Sequence, residues 1–141
     1  MKLKTSELTG LALDWAVARC EGRVLTYHAI STRNGDRKYA AADADFCTEY
    51  SPSTNWAQGG PIIEREEIYV NPTGCAMGWK AFSWVDAAQN FAPEHFGPTP
   101  LIAAMRCFVA SKLGDEVEVP DELLQFINRG HIHKDGAPLK T

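Results

Sequence analysis

Tyr50-Ser-Pro-Ser-Thr-Asn-Trp-Ala-Gln-Gly-Gly-Pro-Ile-Ile-Glu-Arg-Glu-Glu-Ile-Tyr-Val70 is the stretch on which the fold turns. It opens as a polar, proline-broken segment carrying Trp56, bends through Gly59-Gly60-Pro61, and continues as an apolar run interrupted by Glu64-Arg65-Glu66-Glu67. A donor-rich loop set before a strand has the make-up of a binding loop on a rigid scaffold. Residues 61–70 read as a strand whose alternation breaks at the four charged residues. A β-bulge, or a tight turn restarting at Ile68, accounts for the break. Asn71-Pro72-Thr73-Gly74 is a turn. Beyond it 78–85 alternates, with Trp79, Ala81 and Ser83 on one side and Lys80, Phe82 and Trp84 on the other. Antiparallel pairing of 61–70 with 78–85 follows.

Working towards the N-terminus, residues 28–60 lack periodicity and are rich in Ser, Thr, Asn, Asp and Gly. Asn34-Gly35 marks a hairpin tip between Tyr27-His-Ala-Ile30 and Lys38-Tyr39, so 28–49 reads as a variable insert or hairpin. The piece 40–46 fits a single helical turn equally well. Residues 23–27 form a short β candidate. Before them Leu8, Leu11, Ala12, Trp15, Ala16 and Arg19 recur at helical spacing, which predicts a helix over 7–20 with Ser6 as its N-cap and Gly22 as its stop. Trp15 reads as a core residue of that helix. Residues 1–5 suit an edge strand.

On the C-terminal side, Thr99 caps a second helix and Pro100 takes its first position. Leu101, Ile102, Met105, Phe108, Val109 and Leu113 give this helix a broad apolar face up to Gly114. Residues 115–119 are an acidic connector, 120–127 a third short helix, and 129–141 a loosely held tail. The fold expected is α+β: one domain over 1–128, with a small, mostly antiparallel sheet from 23–27, 61–70 and 78–85. The two main helices pack on one face of it.

The 141 residues suffice for one domain, and 45% hydrophobic with 23% charged residues is a globular balance. A net charge of −4 without a basic run disfavours a duplex nucleic-acid partner. Cys20, Cys47, Cys75 and Cys107 contain no C-x-x-C pair, so zinc is not expected. Neither a signal-peptide core nor an apolar run of spanning length is present, which points to a cytosolic chain with reduced thiols and no membrane partner. No G-x-S-x-G elbow accompanies His28, His95, His131 and His133, and Glu64, Glu66 and Glu67 read as a charged strand edge. No catalytic residue and no cofactor are therefore expected. His131-Ile-His133 reads as solvated tail.

The positive case is for binding. Ser53, Thr54, Asn55 and Gln58 offer hydrogen bonds, Gly59 and Gly60 allow close backbone approach, and Trp56 and Trp79 offer stacking faces. Arg65 either pairs with its neighbouring glutamates or turns its planar fork inward to a carboxylate or phosphate. The site expected is Asn55, Trp56, Gln58, Gly59, Gly60, Arg65 and Trp79 around a small anionic, nucleotide-type ligand. The bland reading makes Gly59-Gly60-Pro61 a tight turn and both tryptophans core.

Two long blocks, Ser51-Pro-Ser-Thr-Asn-Trp-Ala-Gln-Gly-Gly-Pro-Ile-Ile-Glu-Arg-Glu66 and Gly97-Pro-Thr-Pro-Leu-Ile-Ala-Ala-Met-Arg-Cys-Phe-Val-Ala-Ser-Lys-Leu-Gly-Asp115, resemble the NinX-like family of small proteins of lambdoid phages and enterobacterial prophages. Lys2-Leu-Lys-Thr-Ser-Glu-Leu-Thr-Gly10 and Leu13-Asp-Trp-Ala-Val17 fit it as well. The resemblance covers 1–26, 50–84 and 97–123 and carries no catalytic residues with it. It implies a phage accessory protein in the cytoplasm of the infected bacterial host. On that footing the expected function is a non-catalytic protein that sequesters a small anionic host defence signal. The alternative is an interaction module that inhibits a host enzyme, with a small hydrolase a distant third. A homo-oligomer is compatible with the sequence.

Overall fold

The fold is built around the helix of 100–113. In the computed structural model, which describes residues 1–31, 37–44, 48–83 and 93–128, the chain runs β1 (Lys2–Lys4), a 3-10 turn (Thr5–Glu7), α1 (Gly10–Glu21), β2 (Leu25–Ser31), β3 (Arg37–Asp43), α2 (Trp56–Arg65), β4 (Ile68–Pro72), β5 (Trp79–Ser83), β6 (His95–Gly97), α3 (Pro100–Leu113), β7 (Glu116–Glu118) and α4 (Asp121–Asn128). The Thr99 hydroxyl oxygen accepts the Ile102 N–H at 3.2 Å and Pro100 starts α3, as its sequence predicts. Leu101, Ala103, Ala104, Met105, Cys107, Phe108 and Val109 are all buried, so the helix is covered on nearly every side. One flank meets β4, β5 and β6, and others meet α1 and α2.

Among the described residues the strands form three small antiparallel sheets where one was expected. β1 pairs with β7, placing Lys2 opposite Glu118 and Lys4 opposite Glu116, so opposite charges face each other across the ladder. The acidic connector is therefore a strand. β2 and β3 form the expected hairpin from Leu25↔Asp43 to Ser31↔Arg37, and 40–43 is strand rather than a helical turn. The tip expected at Asn34-Gly35 lies outside the described residues, as do Cys47, Trp84, Val85 and the tail 129–141. β4–β5–β6 is the third sheet, with Val70 opposite Ala81 and Trp79 opposite Gly97. It lies on α3, while α1 packs on α3 away from it.

The main correction falls on the opening stretch. Residues 56–65 are helix, and the strand read over 61–70 begins only at Ile68. Asn55 is the reason the helix starts: its side-chain oxygen accepts the Ala57 N–H at 2.9 Å. Pro61 sits inside α2, where it deprives the Ala57 carbonyl of a donor, but Ala57 is exposed and water can serve it. Gly59 and Ile62 then fall on one buried face, at helical rather than strand spacing. The charged residues that broke the alternation occupy the last turn and its exit, with Glu67 at φ 52.

Gly59 explains itself by packing. A Cβ there would overlap the Pro52 carbonyl oxygen and lie 2.6 Å from Leu101 Cδ2. At Gly60 the nearest atom would be Trp56 Cε3 at 4.0 Å. A smaller correction concerns α1, which starts at Gly10 behind Thr9, not at Glu7 behind Ser6. The Thr5 hydroxyl donates to the Gly114 carbonyl at 2.6 Å and its N–H to the Asp115 carbonyl at 2.8 Å. Those bonds hold 5–7 against the end of α3 as a 3-10 turn and postpone the helix. Gly22 ends it at φ 71.

Two predictions follow from this packing. Phe108→Ala, in a fully enclosed position, should cost about 3–5 kcal/mol in chemical denaturation; a loss under ~1 kcal/mol would place Phe108 outside the core. Gly59→Ala should destabilise by about 1–3 kcal/mol through overlap, whereas Gly60→Ala should be neutral or stabilise by about 0.5–1 kcal/mol. Equal effects at the two glycines would contradict the close contact of α2 with Pro52 and Leu101.

Candidate ligand-binding site

The polar groups of 50–58 are engaged with one another. Gln58 Oε1 accepts the Ser51 N–H at 2.7 Å while its Nε2 donates to the Glu49 carbonyl at 2.5 Å. The Thr54 and Asn55 N–H groups both donate to the Ser51 carbonyl, and Asn55 spends its side chain as a cap. Beneath them Asp14 of α1, 5% exposed, accepts the Ser53 N–H at 2.9 Å. The buried Ser53 hydroxyl lies beside this carboxylate, where it helps hold the charge, although it has no well-formed hydrogen bond of its own. Burial pushes the Asp14 carboxyl up to about 6, against the Ser53 N–H and the nearby Ser53 hydroxyl, which favour the ion.

Arg65 is also engaged. Its Nη2 and Nη1 both reach the Glu21 carboxylate, its Nε donates to Glu66 at 3.2 Å, and its Cζ lies 5.8 Å from the Phe108 ring centroid. Lys112 completes the group at 3.0 Å from Glu66. Burial pushes the Glu66 carboxyl up, but the hydrogen bonds from Lys112 and Arg65 outweigh it and hold it below its usual range. Glu66 is thereby kept ionised, the wrong state for a general acid.

Trp56 is 57% exposed at the other end of α2. Nine residues at ~100° each put it on the opposite side of the helix from Arg65, roughly 13 Å along the axis. Trp79 is half-buried on β5, facing Pro72 and Gly97 across the ladder. So Asn55, Gln58 and Gly59 serve α2 itself, Trp56 and Arg65 lie at its opposite ends, and Trp79 belongs to β5.

A cleft of about 560 Å³ opens elsewhere, between the C-terminal end of α1, β2 and the start of α4. Trp15 and Tyr27 form its aromatic walls, Leu123 closes it, and Arg19 and Arg23 bring two guanidinium groups. Trp15 packs against the core, as its helical position predicts, yet is only partly buried. Arg19 Cζ stands 5.7 Å from the Trp15 ring centroid and forms no ion pair among the described residues. Arg23 Nη1 donates to the buried Asp43 carboxylate at 2.5 Å, with its Cζ 5.5 Å from the Tyr50 ring centroid. Burial raises the Tyr27 and Tyr50 hydroxyls to about 12, so both stay protonated as donors. The signal for this site was present in the sequence: Trp15 and Arg19 are an i, i+4 pair on one helix face, and Arg23 follows the Gly22 stop.

Among the described residues no group of three or more His, Cys, Asp or Glu is placed to hold a metal, and no helix is long and apolar enough to cross a membrane. Cys20 and Cys75 are free thiols. His28 contacts the Thr26 hydroxyl at 3.1 Å on an exposed strand face. His131 and His133 lie outside the described residues.

The buried carboxylate yields a pH prediction. Asp14 titrates near 3.8 when solvated and about 6 in the fold, so the native state is the one that holds the extra proton. Its contribution is full below the solvated value and is lost as pH rises through the folded one. Asp14→Asn keeps the acceptor for Ser53 without the charge. Relative to the wild type it should gain about 1–3 kcal/mol between pH ~4 and ~7 in urea denaturation. A wild-type-minus-variant difference that is flat over that range would contradict burial as the controlling influence.

Comparison with known proteins adds the lineage. No curated protein matches the chain. The family model described as "Bacteriophage P22, NinX" matches residues 4–112, from the last residue of β1 through all but the last residue of α3. The chain belongs to this NinX family of phage proteins.

Proposed function

We propose that this phage protein is a non-catalytic binder of a small anionic ligand with a planar ring, of nucleotide type, and that it acts in the cytoplasm of the infected host by sequestering such a signal. The observation that carries the reading is the cleft in which the Trp15 indole, the Tyr27 ring and the Arg19 guanidinium meet. An indole face suits a base, and a guanidinium without a carboxylate partner among the described residues suits a phosphate. The cleft has the size of ordinary small-ligand sites. Nothing in it is an activated nucleophile, so the ligand leaves unchanged.

A thermal-shift panel of mono-, di- and cyclic nucleotides, with the parent nucleosides as uncharged controls, tests this. A ligand at about 100 times its dissociation constant adds ~2.7 kcal/mol of stability. Arg19→Glu should abolish the shift, and Arg65→Ala should preserve it on a somewhat less stable protein. The reading fails if no nucleotide shifts the transition. It fails equally if the shift survives Arg19→Glu and disappears in Trp56→Ala, which would return the site to the start of α2.

A second reading, an interaction surface for a host protein, has its own observation. Trp56 and Tyr69 are 57% and 46% exposed, and Tyr69 stacks on Phe82 with centroids 5.0 Å apart. Exposed aromatics of this kind are what protein interfaces use. Under this reading a host protein that co-purifies with the wild type is lost with Trp56→Ala plus Tyr69→Ser, while nucleotide shifts are unaffected.

A further inference from the structure

We propose that the groove beside Arg106 is a second binding site, for a small monocarboxylate that carries an apolar group. The groove, about 360 Å³, lies between the 3-10 turn, β6 and the loop before β5. Arg106 comes to it from α3. Its Nε donates to the Leu8 carbonyl at 2.8 Å and its Nη1 to the Phe96 carbonyl at 2.7 Å. These two bonds fix the plane of the guanidinium. Nη2 has no acceptor among the described residues, and no carboxylate there pairs with the group.

A half-buried cation without a counter-charge among the described residues is unusual in a folded protein. Burial alone acts on its ionisation, and it lowers the pKa, in contrast to Arg23 and Arg65, whose carboxylate partners raise theirs. A carboxylate from solution would supply the missing charge and meet the planar fork with matching geometry.

The rest of the lining sets the ligand class. Met77, Phe96 and Pro98 offer apolar contact, and Ser6 adds a hydroxyl. Glu94 is the groove's acidic residue, 3.7 Å from Lys80. One guanidinium beside one carboxylate favours a single negative charge over a phosphate dianion. The inference does not rest on the nucleotide reading, because the two sites share no residue.

The test is an amide and arginine-side-chain NMR titration of the full chain with isovalerate, isovaleramide and inorganic phosphate in parallel. Isovalerate should give saturable shifts at Ser6, Met77, Phe96 and Arg106 Nε, and isovaleramide none. Met77 is 53% exposed, so Met77→Glu places a charge on the rim without touching the core. That variant should weaken isovalerate binding by about tenfold or more, and Glu94→Gln should tighten it. The proposal is overturned by equal shifts from acid and amide, by no saturation up to ~10 mM isovalerate, or by full binding in Met77→Glu. Tighter binding of phosphate than of isovalerate would also overturn it. Shifts confined to Trp15, Arg19 and Arg23 would count against this groove and leave the nucleotide cleft standing.

Discussion

The burial of α3 on nearly all sides is the constraint the rest of the molecule obeys. A helix apolar around most of its circumference has no solvent face to offer, so it must be wrapped. The sheet β4–β5–β6 covers one flank, α1 another and α2 a third. Two contacts are close enough to require glycine. At Gly59 α2 meets Pro52 and Leu101, and at Gly97 a Cβ would lie 2.7 Å from the Ala103 nitrogen. The small residues Ala103 and Ala104 lie on the helix at this crowded level.

Once α2 is pressed onto α3, the polar residues around it acquire structural work. Asp14 reaches from α1 to hold Ser53, and Gln58 closes the loop before the helix. At its far end Arg65 links Glu21 of α1 to Glu66 and covers Phe108 together with Lys112. A half-exposed ion pair is individually weak. Here several charges share one network over a core aromatic, which orients the guanidinium and withdraws it from ligand chemistry. The same donors that suggest a binding loop by composition are thus occupied by the chain itself.

Two guanidinium groups without an ion pair among the described residues lie at two other places. Arg19 stands over Trp15 in the cleft beside α4, and Arg106 stands in the groove beside β6. In each case the cation comes from a helix of the rigid core, so its position is set by packing rather than by a loop. Preorganised charge of this kind lowers the ordering cost of binding.

The α+β class, both long helices, the Thr99-Pro100 start of α3, the β2–β3 pairing and the strand at 79–83 were all legible in the sequence, because each rests on local periodicity or on a cap that acts within a few residues. The Trp15–Arg19 pair was not read as a site, because a tryptophan on a helix face reads first as core. Three things were decided only by tertiary contact. Residues 56–65 fold as a helix despite Gly59, Gly60 and Pro61, since packing against α3 outweighs their poor propensity. The described strands divide into three sheets because β1 and β7, far apart in sequence, pair with each other. Whether Arg65, Arg19 or Arg106 is free for a ligand depends on which carboxylates the fold brings beside it. No local pattern encodes that, because Glu21 lies 44 residues from Arg65 and meets it only in the folded chain.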